Sequence, residues 1–140
     1  MEKELLEQCK EYLVTEENII FAYVFGSYAR GEWTSLSDID FAIYWTGKDI
    51  SPSTYLNLKR TLMDICKTEV DLVLLNDASP LVKKEIFAEG IRLFSRNEVL
   101  ESNFIVHSIF EYEDMKKYYE LSYKTMIEYI RKEVDSGGKG

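Results

Sequence analysis

A continuous apolar and aromatic run, Ile19-Ile20-Phe21-Ala22-Tyr23-Val24-Phe25, breaks off at Gly26-Ser27, and ten residues later the chain reads Asp38-Ile39-Asp40-Phe41-Ala42-Ile43. A run with no polar alternation suits a strand buried on both faces, so this chain must cover a sheet from both sides. Gly26 can take a tight turn that a residue with a Cβ would resist. Ser27 then offers a hydroxyl and a backbone N–H at the start of a short helical segment, where unpaired amides favour an anion such as phosphate. Strand side chains alternate, so Asp38 and Asp40 project to one side while Ile39, Phe41 and Ile43 project to the other. Two neighbouring carboxylates raise a pKa or recruit a cation, and Mg²⁺ suits them because it takes oxygen ligands and shares them with phosphates. Two such ions about 3.5 to 4 Å apart stabilise both the attacking and the leaving oxygen of an in-line displacement. The pattern therefore points to phosphoryl or nucleotidyl transfer. Asp-x-Asp by itself is weak evidence, since acidic chains contain it by chance and Ser37-Asp38 also suits a turn or a cap. Its fixed distance from a Gly-Ser turn, between two strands, gives it meaning.

Gly26-Ser27, the ten-residue spacer and Asp38-Ile39-Asp40 resemble the signature of the DNA polymerase β-like nucleotidyltransferase superfamily. Within it, Gly-Ser-Tyr-Ala-Arg-Gly at 26–31 followed by Ser-Asp-Ile-Asp at 37–40 is similar to the minimal nucleotidyltransferases, the MntA-type antitoxins paired with HEPN-domain (HepT) toxins. The resemblance spans nearly the whole chain in length and element order, with its specific signal in residues 26–40. It implies an α/β (α+β) polymerase β-like fold, two Mg²⁺ ions and ATP as substrate. It further implies transfer of AMP to a tyrosine hydroxyl of a HEPN ribonuclease toxin, which is thereby neutralised. In these roles Gly26 and Ser27 would serve the phosphates, and Asp38 and Asp40 would be catalytic metal ligands.

The superfamily also draws a third carboxylate from a later strand. Val70-Asp71-Leu72-Val73-Leu74-Leu75 fits that pattern, because a charge inside an apolar run is costly without a partner or a cation. By resemblance Asp71 would bind the acceptor-side metal and help deprotonate the attacking hydroxyl. Two other readings compete: Asp71 starts a strand and reaches solvent, or Glu69, on the same face, takes the role. Arg30 carries a planar fork of donors suited to a polyphosphate, but its spacing serves equally for a surface pair with Glu32 or another nearby acid. Tyr28 and Trp33 could stack on a base; such aromatics more often belong to the core or its rim.

The 140 residues, 46% hydrophobic, supply one core. No run of about twenty apolar residues is available for a membrane span, and the charged start Met1-Glu2-Lys3-Glu4 is unlike a secretory signal. A cytoplasmic protein is expected. Cys9 and Cys66 form no CxxC pair or metal pattern and suit two buried or incidental thiols in a reducing compartment. A formal charge of −8 argues against gripping nucleic-acid phosphates, which takes clustered Lys and Arg, so neither a polymerase nor a direct nucleic-acid partner is expected. An acidic surface suits a basic protein or a cationic small molecule instead. A small-molecule, aminoglycoside-like nucleotidyltransferase is thus the alternative enzyme. A non-catalytic antitoxin acting by binding is the alternative of another class.

The spacing predicts a helix over Glu2–Thr15, strands near 18–25, 37–45 and 69–75, a helix from Pro52 to Lys67, a helix from Pro80 to Glu89 stopped by Gly90, and a strand over Ile91–Phe94. These make a mixed sheet of about four strands flanked by helices. Residues 1–97 read as a minimal nucleotidyltransferase core. Residues 98–135 read as a long C-terminal helix of the same domain, and 136–140 as a flexible glycine-rich tail. On the helix, Ile105, Ile109, Tyr112, Tyr119, Tyr123, Met126 and Ile130 form a stripe with Lys116 in its one polar slot. Its first half should pack on the domain's own sheet. The tyrosine-rich second half reaches further than a small domain covers and suits an interface in a homodimer or hetero-oligomer. His107 reads as a packed or solvent-facing helix residue.

Overall fold

The computed structural model describes residues 2–34 and 37–138. Its elements follow the expected order: α1 (Glu2–Val14), β1 (Ile19–Phe25), the one-turn α2 (Gly26–Ala29), β2 (Ile39–Trp45), α3 (Pro52–Cys66), β3 (Val70–Leu74), a 3-10 turn (Leu75–Asp77), α4 (Pro80–Glu89), β4 (Ile91–Ser95) and α5 (Glu98–Gly138). Ser51 and Ser79 cap α3 and α4 by accepting the N–H groups of Thr54 and Val82, with Pro52 and Pro80 opening each helix. Gly90 ends α4 as expected, without a left-handed turn. Its φ is −72°, and a Cβ there would run into the carbonyl of Ile86 and lie 3.3 Å from that of Val24.

The four strands lie in the order β3-β2-β1-β4, with β2 and β3 parallel and the other pairs antiparallel. The parallel pair needs a crossover, which α3 supplies. On one face, Cys9 and Leu13 of α1 and Leu58 and Leu62 of α3 pack on Ile39, Phe41, Ile43, Val70 and Leu72. On the other, Ile86 of α4 and Phe104 of α5 cover Phe21, Tyr23, Phe25 and Ala42. β1 is central and buried on both faces, as its unbroken apolar run requires; a register shift between Ile19 and Phe21 lets both point inward on opposite sides.

The proximal part of α5 is fixed by aromatic and charged contacts. The Phe104 ring lies 5.1 Å from Tyr44, 5.8 Å from Phe21 and 6.0 Å from Phe87. Tyr23 Oη donates to the buried Glu101 carboxylate at 2.5 Å, and Arg92 donates to its other oxygen at 2.8 Å. Lys83, itself buried, donates to Glu111 at 2.6 Å. The inward line of α5 departs from the expected stripe: Glu101 and Ser108 are buried, whereas Ile109 is 55% exposed. Beyond Tyr112 the helix is mostly exposed among the described residues, and Tyr118, Leu121, Tyr123 and Tyr129 are all more than half exposed. The helix also continues past its expected end, through the backbone of 136–138 that the sequence suggested as tail; Lys139 and Gly140 lie outside the described residues.

Candidate active site

Strand register brings the motif residues into one row. Phe25, the last residue of β1, pairs with Asp40 on β2, and Asp40 pairs with Asp71 on β3. The Gly-Ser turn, Asp40 and Asp71 therefore stand side by side across three strands. Asp71 shares the sheet face of Asp40, because Val70 and Leu72 point into the opposite core. Asp38 lies one step before β2, exposed, and Asp40 is half-buried. Asp71 is exposed on edge strand β3, so the cost of burying a charge in an apolar run, which drew attention to it, falls on Asp40 instead. Glu69 precedes β3 and is exposed; its backbone carbonyl accepts the Ile39 N–H at 3.1 Å.

Gly26 is required twice over. Its φ of +73° disfavours any side chain, and a Cβ there would fall on Asp40 Oδ2. That contact shows how closely the turn approaches the carboxylate. Burial pushes the Asp40 carboxyl up to about 6, with the charge of Asp71, a hydrogen bond shared with Asp71, and the charges of Asp38 and Glu85 adding to the effect. Glu85 went unremarked in the sequence, since an acid on an amphipathic helix carries no signal until α4 is placed.

Arg30 sits among acids: Glu32 at 3.2 Å, Glu89 at 3.5 Å and Glu85 at 3.6 Å, all partly exposed. These are the surface pairs anticipated as one of its two readings. Tyr28 is buried and meets Trp33 edge to face at 5.6 Å, while Trp33 Nε1 donates to the Ser37 carbonyl at 3.2 Å. Both belong to the core and its rim. His107 is exposed on α5.

The family model described as Polymerase beta, Nucleotidyltransferase matches residues 7–99 of this chain. The chain belongs to that family. A protein of Methanocaldococcus jannaschii named Putative protein adenylyltransferase is 38% identical over 85 residues, a match covering 60% of this chain and 86% of that protein. Among solved structures, a chain of a toxin-antitoxin crystal structure with AMP-PNP has a TM-score of 0.72 at 23% identity, covering 84% of this chain and 96% of its own. A chain from the complex of tri-AMPylated Shewanella oneidensis HEPN toxin with MNT antitoxin has a TM-score of 0.69 at 19% identity, covering 87% and 98%. Both likenesses establish the shared polymerase β-like fold. The family match ends at Val99, the second residue of α5, so most of that helix lies outside it.

Among the described residues no group of three or more His, Cys, Asp and Glu side chains is arranged to hold a metal ion. The donor chemistry is nonetheless suitable: Asp40 and Asp71 offer oxygen alone, they share a hydrogen bond, and their mutual charge favours a bound cation. The described residues also contain no helix long and apolar enough to cross a membrane.

Proposed function

We propose that this nucleotidyltransferase is an antitoxin of the minimal class, transferring AMP from ATP to a tyrosine hydroxyl of a cognate HEPN ribonuclease toxin and so neutralising it. The observation that carries the reading is the row formed by Gly26, Asp40 and Asp71, in which the absence of a Cβ on Gly26 lets the turn's backbone stand directly against paired carboxylates. The kinship with a protein named as a protein adenylyltransferase supports AMP as the group transferred. The likeness to antitoxin-containing complexes supports the class of acceptor.

In this reading Gly26 gives the nucleotide's phosphates close access to the backbone, and the Ser27 hydroxyl and N–H hold them. Asp38, Asp40 and Asp71 would hold two Mg²⁺ ions, which supply positive charge against the attacking and leaving oxygens. Asp71, the most accessible of the paired carboxylates, orients the incoming hydroxyl and draws off its proton. Arg30 exchanges solvent-exposed pairs with Glu32, Glu85 and Glu89 for the polyphosphate, an exchange that costs little because water screens such pairs.

Incubation with Mg²⁺, ATP and a HEPN-domain protein encoded beside this one, followed by intact-mass measurement of that partner, tests the proposal. Mass gains in AMP steps that vanish with Asp38→Asn are expected. A stable complex without any mass gain would favour an antitoxin that acts by contact alone, and retained transfer by Asp38→Asn would overturn the metal site.

A further inference from the structure

Cys9 and Cys66 are separated by 57 positions in sequence, yet their sulfurs stand 3.6 Å apart where α1 crosses the end of α3. Both are free thiols; Cys9 is fully buried and Cys66 partly exposed. Cys66 is the last residue of its helix. The next residue, Lys67, turns the chain with a φ of +56°. Beyond it the Thr68 hydroxyl donates to the Ser37 carbonyl at 3.3 Å, and the Glu69 carbonyl accepts from Ile39 at 3.1 Å. The thiol pair thus stands at the base of the segment that ties β2 to β3.

We propose that Cys9 and Cys66 are a redox modification site, a dithiol that a hydroperoxide oxidises to an intramolecular disulfide joining α1 to α3. The sulfurs must close from 3.6 Å to about 2.05 Å to form the bond. Their roles differ by position. Cys66, which solvent reaches, attacks the peroxide oxygen as thiolate, becoming the sulfenic acid and releasing hydroxide. Cys9 then attacks the Cys66 sulfur, the S–O bond breaks, and water leaves with the Cys9 proton. In sum, two thiols and one hydrogen peroxide give one disulfide and two waters; each sulfur loses one electron and the peroxide gains two. The hydrogen bond between the thiols lowers the Cys66 pKa and raises that of Cys9, in keeping with this division. The ring of chain so closed contains Gly26, Ser27, Asp38 and Asp40, whereas Asp71 remains five residues outside it.

The full-length protein should be treated with hydrogen peroxide, denatured in an alkylating reagent and weighed intact. The expected product is a monomer lighter by two hydrogens and unalkylated at both cysteines, reverting to the doubly alkylated form after a dithiol reductant. Its melting temperature should rise by about 5 °C or more, because the cross-link restricts the unfolded chain. Cys66→Ser should abolish both changes, and Cys9→Ala should stop the reaction at a sulfenic acid carrying one added oxygen. Should the buried Cys9→Ala variant not fold, the wild type and Cys66→Ser decide the matter alone. Oxygen added at Cys66 of the wild type while Cys9 stays alkylatable, or a covalent dimer through Cys66, would overturn the proposal.

Discussion

The carboxylate end of the sheet and the distal half of α5 belong to one chain but are held by different physics. At the sheet end, backbone pairing dictates position: once β1, β2 and β3 are in register, Gly26, Asp40 and Asp71 must be neighbours whatever their mutual repulsion. Along α5 past Tyr112, Tyr118, Leu121, Tyr123, Met126, Tyr129 and Val134 face water. Charge is concentrated where the scaffold forces it, and apolar surface is left bare where no scaffold reaches. A region with enforced repulsion is suited to hold a ligand of opposite charge, and one with bare tyrosines is suited to meet another surface. We therefore propose that the chemistry belongs to the sheet end and partner docking to the distal helix.

Substitutions can break this contrast in graded steps. The largest effect should come from Asp40→Asn, which keeps volume but removes a charge from the row; AMP transfer, followed with labelled ATP, should fall by roughly 10²–10⁴-fold. Phe104→Ala, in the packed part of α5, should cost about 2–3 kcal/mol in denaturant unfolding, since the ring is only partly buried and meets three others. Gly26→Ala should cost about 1–3 kcal/mol, through its positive φ and the collision with Asp40, and should also impair nucleotide binding.

A pH experiment sharpens the same comparison. The Asp40 carboxyl moves from its ordinary 3.8 up to about 6 in the fold, so the native state holds that proton more tightly. Its contribution to stability is full below the ordinary value, is lost as pH rises toward about 6, and is absent above. Asp40→Asn should accordingly raise stability by on the order of 1 kcal/mol at neutral pH, discounted for partial exposure, with the gain vanishing near pH 4. Mg²⁺ should raise the melting temperature of the wild type at neutral pH and leave that variant nearly unmoved. The smallest change belongs to the bare helix: Tyr123→Ser should alter stability by less than about 0.5 kcal/mol while weakening association with a partner.

The contrast also explains what the sequence could and could not reveal. Asp38, Asp40 and the Gly-Ser turn were legible because strand alternation has period two and the spacer fixes their separation. Asp71 was legible for a reason that the structure revises: apolar neighbours marked its strand, but its side chain is exposed and the burial penalty rests on Asp40. Glu85 and Glu101 were not legible. Glu85 reaches the site only because α4 packs across that face, and Glu101 is buried only because Tyr23 and Arg92, far away in sequence, satisfy both its oxygens. The same distance hid the meeting of Cys9 and Cys66.

We propose that the register of β2 and β3 makes Asp71 the acceptor-side carboxylate of the site. The direct measurement is the rate of AMP transfer to a HEPN-domain partner by Asp71→Asn and by Glu69→Gln, each compared with the wild type under the same Mg²⁺ and ATP. Loss of transfer by at least about a hundredfold in Asp71→Asn, with Glu69→Gln close to the wild type, is the predicted result. Transfer that survives Asp71→Asn and fails in Glu69→Gln would make Glu69, and not Asp71, the third carboxylate.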